Sequence, residues 1–311
     1  MNSHACHIRN YRPDDFESYV RFHDEARKLE LVPSHTLPLT ITMRLHRPHY
    51  NPTQDLFLAI VDGKVIAYLD VSREAEIGRM VLDCMVCPDE RRKGIATALF
   101  NHATHYAAET GIQIVHLNIA SDNIAAKGLF QELGFTFVRH FIEFGLNFAD
   151  TPLPDVPETE FTCRHLQRGE EQALVELQNR AFLDTWGFNP NTVEDIVYSL
   201  KLQAGNPSDI ILAVKENQII GYCWTVPQAE KGIPSAASQS SLIHMLGVAS
   251  EYRGQGAGKM LLSTGLHYLK EKGADLVTLT ADSENADACN LYSSFGFRDI
   301  STRLWYERRL A

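Results

Sequence analysis

The sequence lacks the long apolar segments of a membrane protein. Of its 311 residues 44% are hydrophobic, but no run approaches the roughly 18 consecutive apolar residues that a membrane-spanning helix needs. The first residues, MNSHACHIRNYRPDDF, also lack the apolar centre of a secretory signal. We therefore expect a cytoplasmic protein with no membrane partner, long enough for two domains of about 150 residues each.

Positive charge is also scarce. The chain has 29 Lys and Arg residues against 39 Asp and Glu residues, which gives a formal net charge of -10. Because nucleic acids bind to basic surfaces, we expect no nucleic-acid partner. The acidic balance is compatible with a cationic acceptor such as an amine, although a charge total does not select a substrate.

Cysteine is sparse, and its spacing favours no metal site. Of six cysteines, Cys84 and Cys87 form a C-x-x-C pattern, but no second Cys or His pair follows at ligand spacing. Both lie in the apolar run MVLDCMVCP, which is typical of a strand with structural thiols. His46 and His49 have no neighbouring carboxylate in the sequence. We therefore predict that the protein has no metal site.

An internal repeat dominates the sequence. At an offset of 162, residues 91–135 align with residues 253–297 without a gap and share 15 identities in 45 positions, where chance gives about three. At this period a repeat means two copies of one domain rather than a solenoid. The segment ADTPLPDVPETE between the copies contains three prolines, which disfavour helix and indicate a linker. We predict domains at 1–150 and 161–311, joined by the linker 151–160.

Both copies have the same order of predicted elements. A helix from Asp14 or Asp15 to about Glu30 precedes the strands LFLAIV and VIAYLDV, which Asp62 and Gly63 join as a tight hairpin turn. A further strand, a helix opening at a glycine-containing segment, a strand, a helix from about Asn123 to Leu133 and a closing strand follow. The extra residues QAEKGIPSAASQ predict a longer loop in the second copy. Such alternation predicts an α/β (α+β layered) fold with one mixed sheet per domain.

The segment EYRGQGAGKM at 251–260 is the strongest functional signal. It stands between an apolar strand and a helix, where several backbone N–H groups lack intrahelical partners and the helix dipole is positive. Glycines at 254, 256 and 258 allow a tight turn and close approach of a ligand, while Arg253 and Lys259 add positive charge. The segment therefore predicts a binding site for a diphosphate group. Neither a P-loop nor a G-x-G-x-x-G dinucleotide motif fits its spacing.

This segment resembles the [RQ]-x-x-G-x-[GA] motif of the GCN5-related N-acetyltransferases. The strand MLGVASEY before it and NADACNLYSSFGF at 285–297 are similar to two further segments of that family. The resemblance implies acetyl-CoA, or a related acyl-CoA, as cofactor, with pantetheine paired along the strand. The cofactor-binding residues that it implies in the second copy are Leu246, Gly247, Val248, Arg253, Gly254, Gln255, Gly256, Ala257, Gly258, Lys259, Asn285 and Tyr292. The corresponding candidates in the first copy are Val86, Arg91, Arg92, Gly94 and Ala96.

The resemblance also implies direct transfer of the acyl group to an amine, with a general base and a tyrosine general acid. Tyr292 takes the acid position, although a core aromatic is the alternative for it. We expect Asn285 to cap the helix that carries Tyr292, to contact the cofactor, or to do both. Many family members place a glutamate base at the position that Leu242 occupies here. His244 is the candidate base, because it lies two residues further on and so on the same strand face if the strand is regular. Asp282 and Glu284 are further candidates for the base.

The two copies differ at the tyrosine position, because Phe130 stands in the first copy where Tyr292 stands in the second. Phenylalanine cannot donate a proton, so we expect a degenerate N-terminal copy and an active C-terminal copy. Trp186 and Phe188, in LDTWGFNPNT, are candidates for binding the substrate, or else for capping the core. The predicted function is N-acetyl transfer to a small-molecule amine. The alternatives are a protein or peptide acceptor and a non-catalytic acyl-CoA-binding module.

Overall fold

The computed structural model describes residues 6–29, 38–202, 206–227 and 240–310. These residues form two compact units. Unit 1 comprises Met1–His140 together with Arg303–Ala311, and unit 2 comprises Phe141–Thr302. Each unit is an α/β domain with one mixed sheet, as the repeat predicts.

Unit 1 contains a sheet with the strand order β1-β2-β3-β4-β5-β12. Neighbouring strands are antiparallel except β4 and β5, which are parallel. The elements introduced here are β1 (His7–Asn10), α1 (Phe16–Lys28), α2 (Pro38–Leu45), α3 (Pro52–Asp55), β2 (Leu56–Val61), β3 (Lys64–Glu74), β4 (Arg79–Val86), α4 (Ile95–Glu109), β5 (Ile114–Ala120), α5 (Ile124–Glu132), and β12 (Arg298–Arg309) from the far end of the chain.

Unit 2 repeats this plan with the order β6-β11-β10-β9-β8-β7. Here β10 and β11 form the parallel pair. Its elements are β6 (Thr136–Asn147), β7 (Thr162–His165), α6 (Glu171–Phe182), α7 (Val193–Leu202), β8 (Ile210–Lys215), β9 (Gln218–Val226), β10 (Ser241–Val248), α8 (Ala257–Glu271), β11 (Leu276–Asp282) and α9 (Ala286–Ser294). No helix among the described residues is both long and apolar enough to cross a bilayer.

The predicted hairpin is confirmed in both units. Asp62 and Gly63 have φ of +50° and +75° and join β2 to β3. In unit 2 the same left-handed turn is formed by Glu216 and Asn217, with φ of +49° and +68°. Two consecutive residues with positive φ match the twist of the flanking strands, which is why the turn is only two residues long.

Each sheet is covered by helices on both faces. In unit 2, α8 places Leu262, Leu266 and Leu269 in a core shared with α9, and none of the three is exposed. On the other face, α6 and α7 pack on Tyr222 and Trp224 of β9. In unit 1, α4 and α5 cover one face and α1 and α2 cover the other.

The units differ from the predicted domains at the closing strands. Residues 141–147 of β6 follow the first copy in sequence, yet they pair antiparallel with β11 in unit 2. Residues 303–309 of β12 end the second copy, yet they pair with β5 in unit 1. The predicted boundaries, 1–150 and 161–311, therefore need correction. Because the copies are repeats, each closing strand meets an equivalent sheet edge in either unit, and the alternation of side chains does not choose between them.

The predicted linker contains neither helix nor strand over residues 151–160. It is not free, however, because the Pro154 carbonyl accepts hydrogen bonds from Ser263 Oγ at 3.2 Å and His267 Nε2 at 3.1 Å. The segment therefore packs along α8 within unit 2. The long loop predicted over residues 228–239 lies outside the described residues.

Helices α2 and α7 were not predicted. The sequence of α2, PLTITMRL, is rich in β-branched residues, whose intrinsic preference favours strands. Burial of Ile41 and Leu45 against the α1 side of the sheet outweighs that preference. The apolar residues of α7, Ile196 and Leu200, lie four positions apart and are buried in the same way.

Candidate active site

The glycine segment of unit 2 forms an open helix N-terminus. Helix α8 begins at Ala257, after Gly256 with φ of +91°, and Gly254 has φ of +73°. The first intrahelical bond joins Met260 N to the Gly256 carbonyl, so the N–H groups of residues 257–259 have no partner within the helix. A Cβ placed on Gly254 meets no atom within 4 Å. This open set of donors suits an anionic group such as a diphosphate.

The two cationic side chains at this N-terminus, Lys259 and Arg253, differ in their contacts. Lys259 is exposed, and within the described ranges its ammonium forms no ion pair. The Arg253 guanidinium instead donates to two backbone carbonyls, those of Val248 and Ala181. Its side chain thus holds the end of β10 against α6. Gln255 also donates within the loop, to the Glu251 carbonyl at 3.0 Å.

Strand β10 has an edge free for a ligand. Its parallel pairing with β11 ends at Leu242 and Thr278, whereas its pairing with β9 continues to Val248. In the described part of the chain, residues 243–248 therefore present one row of backbone groups without a strand partner. Such an edge accepts an extended ligand by strand addition, and Leu246, Gly247 and Val248, for which the family resemblance implies a cofactor-binding role, lie along it.

His244 occupies a β-bulge. The register of β10 on β9 shifts between Ile243 and Met245, so His244 is the extra residue. A bulge breaks the period of two, yet Leu242 packs against the core that contains Trp224, the residue that the His244 ring contacts. The ring packs edge-on against Trp224 at 5.0 Å between centroids.

Solvent reaches the His244 side chain, although protein atoms surround it on most sides. This burial disfavours the imidazolium and lowers the pKa of His244 to about 4. The ring is thus neutral at pH 7 and can accept a proton.

Tyr292 lies on α9 and faces the sheet. The side chain is 7% exposed and packs against Phe144 and Phe297, with centroid separations of 5.9 and 6.0 Å. Burial, and then the neighbouring Cys223 and Cys289, raise the pKa of Tyr292 above its usual value. The hydroxyl therefore keeps its proton at neutral pH, and it makes no hydrogen bond to any described residue. It is available to donate to a ligand.

Tyr292 and His244 are placed on opposite faces of the sheet. Tyr292 belongs to the core under α8 and α9, whereas His244 contacts Trp224 of the core under α6 and α7. No hydrogen bond or ring contact joins the two among the described residues. Asn285 precedes the Tyr292 helix and caps it by accepting from Ala288 N at 3.1 Å, as predicted.

We call the open helix N-terminus at residues 253–259 of unit 2 the cradle. Unit 1 reproduces its backbone with different side chains. Gly94 starts α4 with φ of +79°, and Arg92 has φ of +64° at the position equivalent to Gly254. Arg91 donates to the Val86 carbonyl at 3.2 Å, as Arg253 does to Val248. Ala96 follows in the first turn of α4. The loop geometry is thus duplicated, but an arginine side chain stands where unit 2 has open space.

Phe130 occupies the Tyr292 position on α5. It is 6% exposed and packs against the rings of Phe100, Phe135 and Tyr306. The ring fills the same core position as Tyr292 but carries no hydroxyl. A group that could donate a proton is therefore missing at this place in unit 1.

Trp186 and Phe188 lie in the loop between α6 and α7, and both are half-buried. The Trp186 ring is 6.1 Å from that of Phe141 in β6. At the end of the preceding helix, Phe182 lies close to β10, because a Cβ on Gly247 would stand 2.8 Å from its ring. Phe182 thus explains the glycine at 247 by packing, a contact that no sequence motif signals.

The linker also reaches the cradle, which the sequence did not predict. A Cβ on Gly256 would lie 3.5 Å from Thr159 Cγ2, and the Thr159 hydroxyl bonds Met260 Sδ at 3.1 Å. Within the described ranges, no group of three or more His, Cys, Asp or Glu side chains is arranged to hold a metal ion.

Known proteins of similar sequence are named as acetyltransferases. The chain is 27% identical over 262 residues to a mycothiol acetyltransferase of Stackebrandtia nassauensis, covering 83% of this chain and 84% of the relative. It is 28% identical over 301 residues to a mycothiol acetyltransferase of Thermobispora bispora, covering 95% and 97%.

Solved structures share the fold at lower identity. A GCN5-related N-acetyltransferase from Sphaerobacter thermophilus matches with a TM-score of 0.73 and 21% identity, covering 98% of this chain and 95% of that one. A tandem GNAT protein from the clavulanic acid biosynthesis pathway matches with a TM-score of 0.72 and 15% identity, covering 98% of each chain.

The family model for the acetyltransferase (GNAT) family matches twice, over residues 18–135 and 171–297. The two matches together span most of the chain, one on each copy of the repeat. They confirm the predicted family, the tandem fold and acetyl-CoA as the cofactor. The chain belongs to the GNAT acetyltransferase family, as an acetyl-CoA-dependent N-acetyltransferase with two copies of the domain in tandem.

Proposed function

We propose that unit 2 carries the chemistry and acetylates the amine of a small molecule. The observation behind this proposal is the difference between Tyr292 and Phe130. Both rings fill the same core position, but only Tyr292 carries a hydroxyl, which is protonated and without a hydrogen-bond partner in the described chain. Unit 1 is then the degenerate copy.

The residues of unit 2 fit acetyl-CoA, which when bound supplies an activated acetyl thioester. The N–H groups of residues 257–259 and the Lys259 ammonium would hold its diphosphate. The free edge of β10 would pair with its pantetheine arm. Gly254 leaves room for this approach because its surroundings are open.

Proton movement is divided between two side chains in this proposal. The neutral His244 ring accepts a proton from the acceptor's ammonium, directly or through water, since its lowered pKa leaves the ring nitrogens uncharged at pH 7. Tyr292 Oη holds a proton for the leaving group. Asp282 is the weaker candidate base, because its carboxylate already accepts from Glu284 N at 3.0 Å.

A small-molecule acceptor is supported by the relatives named mycothiol acetyltransferase, which match over most of their own length. The half-buried Trp186 and Phe188 would contact an apolar part of the acceptor. A protein or peptide acceptor is the alternative. A thiol-release assay with acetyl-CoA against a panel of small amines and of peptides with free N-termini distinguishes the two classes.

Substitution of Tyr292 tests where the chemistry occurs. Tyr292→Phe should lower kcat by roughly 10²-fold or more, since a positioned general acid contributes about 10²–10⁴-fold. The variant keeps the aromatic packing that Phe130 already shows in unit 1. Acetyl-CoA binding, measured by calorimetry, should be unchanged.

Phe130→Tyr is the matched control and should leave kcat within about twofold, because an added hydroxyl in unit 1 does not alter unit 2. Retention of most activity by Tyr292→Phe would contradict the assignment. Tight cofactor binding with no thiol release for any amine or peptide would instead favour the non-catalytic acyl-CoA-binding module.

A further inference from the structure

The two closing strands occupy equivalent positions in the repeat but carry different side chains. β6 and β12 are both 12 residues long and lie 162 positions apart, which is the offset of the repeat. Residues 141–147 of β6 join β11, and residues 303–309 of β12 join β5, in the same register. We call this the exchanged pairing. An unexchanged pairing, in which each copy keeps its own closing strand, would form the same backbone hydrogen bonds, so the backbone alone does not select between the two.

A buried polar pair lies at the edge of β5 that β12 joins. His116 and Glu307 stand directly opposite each other in the register of the two strands, and His116 Nε2 lies 2.9 Å from Glu307 Oε2. The two side chains are 4% and 16% exposed. Burial lowers the pKa of His116, so the ring is neutral at pH 7 and its Nε2–H donates to the carboxylate. Each group thus supplies a hydrogen-bond partner to the other.

Neighbouring charged side chains do not depend on this pairing in the same way. Arg79 of β4 forms its own ion pair with Glu74 of β3. Arg309 donates to the second carboxylate oxygen of Glu307 at 2.9 Å, but it lies two residues along the same strand and would accompany Glu307 in either pairing. Of these contacts, only the one with His116 depends on which sheet edge β12 joins.

The equivalent positions in unit 2 carry an uncharged pair. Thr278 of β11 lies 162 positions after His116, and Gly145 of β6 lies 162 positions before Glu307. The two stand opposite each other in the same way. A Cβ on Gly145 would lie 3.1 Å from Ile300 Cγ2, so Ile300 already fills the space that a side chain at 145 would need. The edge of β11 therefore suits a strand with glycine at this position.

The unexchanged pairing would break this match at both edges. His116 would face Gly145, and the buried imidazole would lose its acceptor. Glu307 would face Thr278, which is 9% exposed, and its carboxylate would be buried without the imidazole. Because buried polar groups without partners are costly, both changes disfavour the unexchanged pairing, whereas the exchanged pairing joins the two groups.

We propose that the His116–Glu307 pair selects the exchanged pairing, so that the edge of β5 takes as its partner a strand with a carboxylate opposite His116. The chain's own residues 303–309 supply that strand, and residues 141–147 are excluded because they place glycine there. A single buried polar group can fix register and partner in helical assemblies in the same way. This selection concerns the assembly of the fold and goes beyond the acetyl transfer assigned to unit 2.

Competition between two disulfides measures the selection in the full chain. One chain carries Ala120→Cys, Arg303→Cys and Phe141→Cys. The 120–303 disulfide reports the exchanged pairing, and the 120–141 disulfide reports the unexchanged one, because Phe141 is the residue equivalent to Arg303. Directly opposed strand residues lie within disulfide range. The chain is unfolded in urea, refolded, oxidised at low protein concentration and digested, and mass spectrometry of the linked peptides gives the ratio of the two disulfides.

The 120–303 disulfide should dominate in this background. Glu307→Gly, which makes β12 like β6 at this position, should lower the ratio of 120–303 to 120–141 by about 10- to 100-fold, the range expected for a hydrogen bond to a charged group. His116→Thr, which makes β5 like β11, should do the same and carries the test if the glycine variant does not refold. Glu307→Gln keeps a carbonyl that can accept from His116 and should shift the ratio less.

Leu304→Ala is the control for a loss of stability alone. Leu304 packs on the core of unit 1 from the same strand, so its truncation weakens β12 without touching the pair and should leave the ratio within about twofold. Three results would overturn the proposal: a dominant 120–141 disulfide before any further substitution, an unchanged ratio in both Glu307→Gly and His116→Thr, or an equal fall of the ratio in Leu304→Ala.

Discussion

His23 on α1 and Gln178 on α6 occupy equivalent positions, 155 residues apart. The ion pairs Arg9–Asp15 and Arg164–Glu170 repeat at the same spacing. The side chains of His23 and Gln178 are both buried. Each has a buried polar atom without a hydrogen bond, which is Nδ1 in His23 and Oε1 in Gln178. The substitution matters because histidine titrates and glutamine does not.

His23 should make unit 1 sensitive to acid. Burial is the main cause that lowers the pKa of His23 from 6.5 to about 4. Between these values the unfolded chain binds the proton more readily, so stability falls as the pH drops from 6.5 towards 4. By this linkage, the free energy of unfolding falls by about 2 kcal/mol between pH 7 and pH 5.

Urea unfolding of His23→Gln at pH 7 and pH 5 measures this loss. The variant should lose about 2 kcal/mol less than the wild type over that interval, whatever its stability at pH 7. His105→Gln is the control, because the His105 side chain is 79% exposed. Equal losses for His23→Gln and the wild type would refute the assignment.

A second prediction at this scale concerns His244. If His244 is the base, kcat/KM should stay high down to a pH below 6.5, because burial lowers its pKa and the neutral ring persists into the acid range. At still lower pH, protonation of His244 should make kcat/KM fall, and this fall is the acid limb of the profile. His244→Gln should remove the acid limb and lower kcat/KM by roughly 10²-fold. A pH–rate profile measures both effects, and an unchanged limb would move the role to Asp282 or Glu284.

At the scale of elements, the two cradles have the same backbone conformation, but the free-energy cost of that conformation differs between them. Gly254 adopts φ of +73° freely, whereas Arg92 has φ of +64°, where a Cβ costs roughly 1–2 kcal/mol. The strain is retained at the loop that leads into α4. An arginine tolerated there places positive charge beside the N-terminus of that helix.

Arg92→Gly should therefore stabilise unit 1, by about 0.5–1 kcal/mol after the greater flexibility of glycine in the unfolded chain is subtracted. Chemical unfolding measures the change. The neighbouring Lys93→Gly is the control: Lys93 is exposed and has negative φ, so glycine there should destabilise. The prediction fails if Arg92→Gly is no more stable than Lys93→Gly.

For the whole molecule, the exchange of closing strands decides which substitutions affect which unit. Tyr306 belongs to the C-terminal copy in sequence but is buried in the core of unit 1. Phe144 follows the N-terminal copy in sequence but is buried in the core of unit 2. A sequence-based division assigns both to the wrong core.

Hydrogen exchange tests this assignment. Tyr306→Ala should reduce protection in β5 and leave β11 protected, and Phe144→Ala should do the reverse. Large-to-small changes of buried aromatics cost about 3–5 kcal/mol, enough to make the effects distinct. Truncation after Thr302 should act like Tyr306→Ala, because it removes the residues that pair with β5. Loss of protection in β11 after that truncation would contradict the exchange.

The sequence by itself determined the features that depend on local chemistry. The offset of 162 indicated two domains, Asp62-Gly63 indicated the hairpin, and the alternating glycines indicated an open helix N-terminus. Asn285 was recognisable as a helix cap for the same reason. In each case a short segment adopts one backbone conformation because of its own residues.

Only the tertiary structure decided which strand edge each closing strand joins, because backbone hydrogen bonds carry no sequence signature and the two copies offer equivalent edges. It likewise placed His244 in a bulge and paired His116 with Glu307, since both depend on the register between strands. Alternation of side chains predicts that a strand exists, but register and partner follow from the packing of the whole unit.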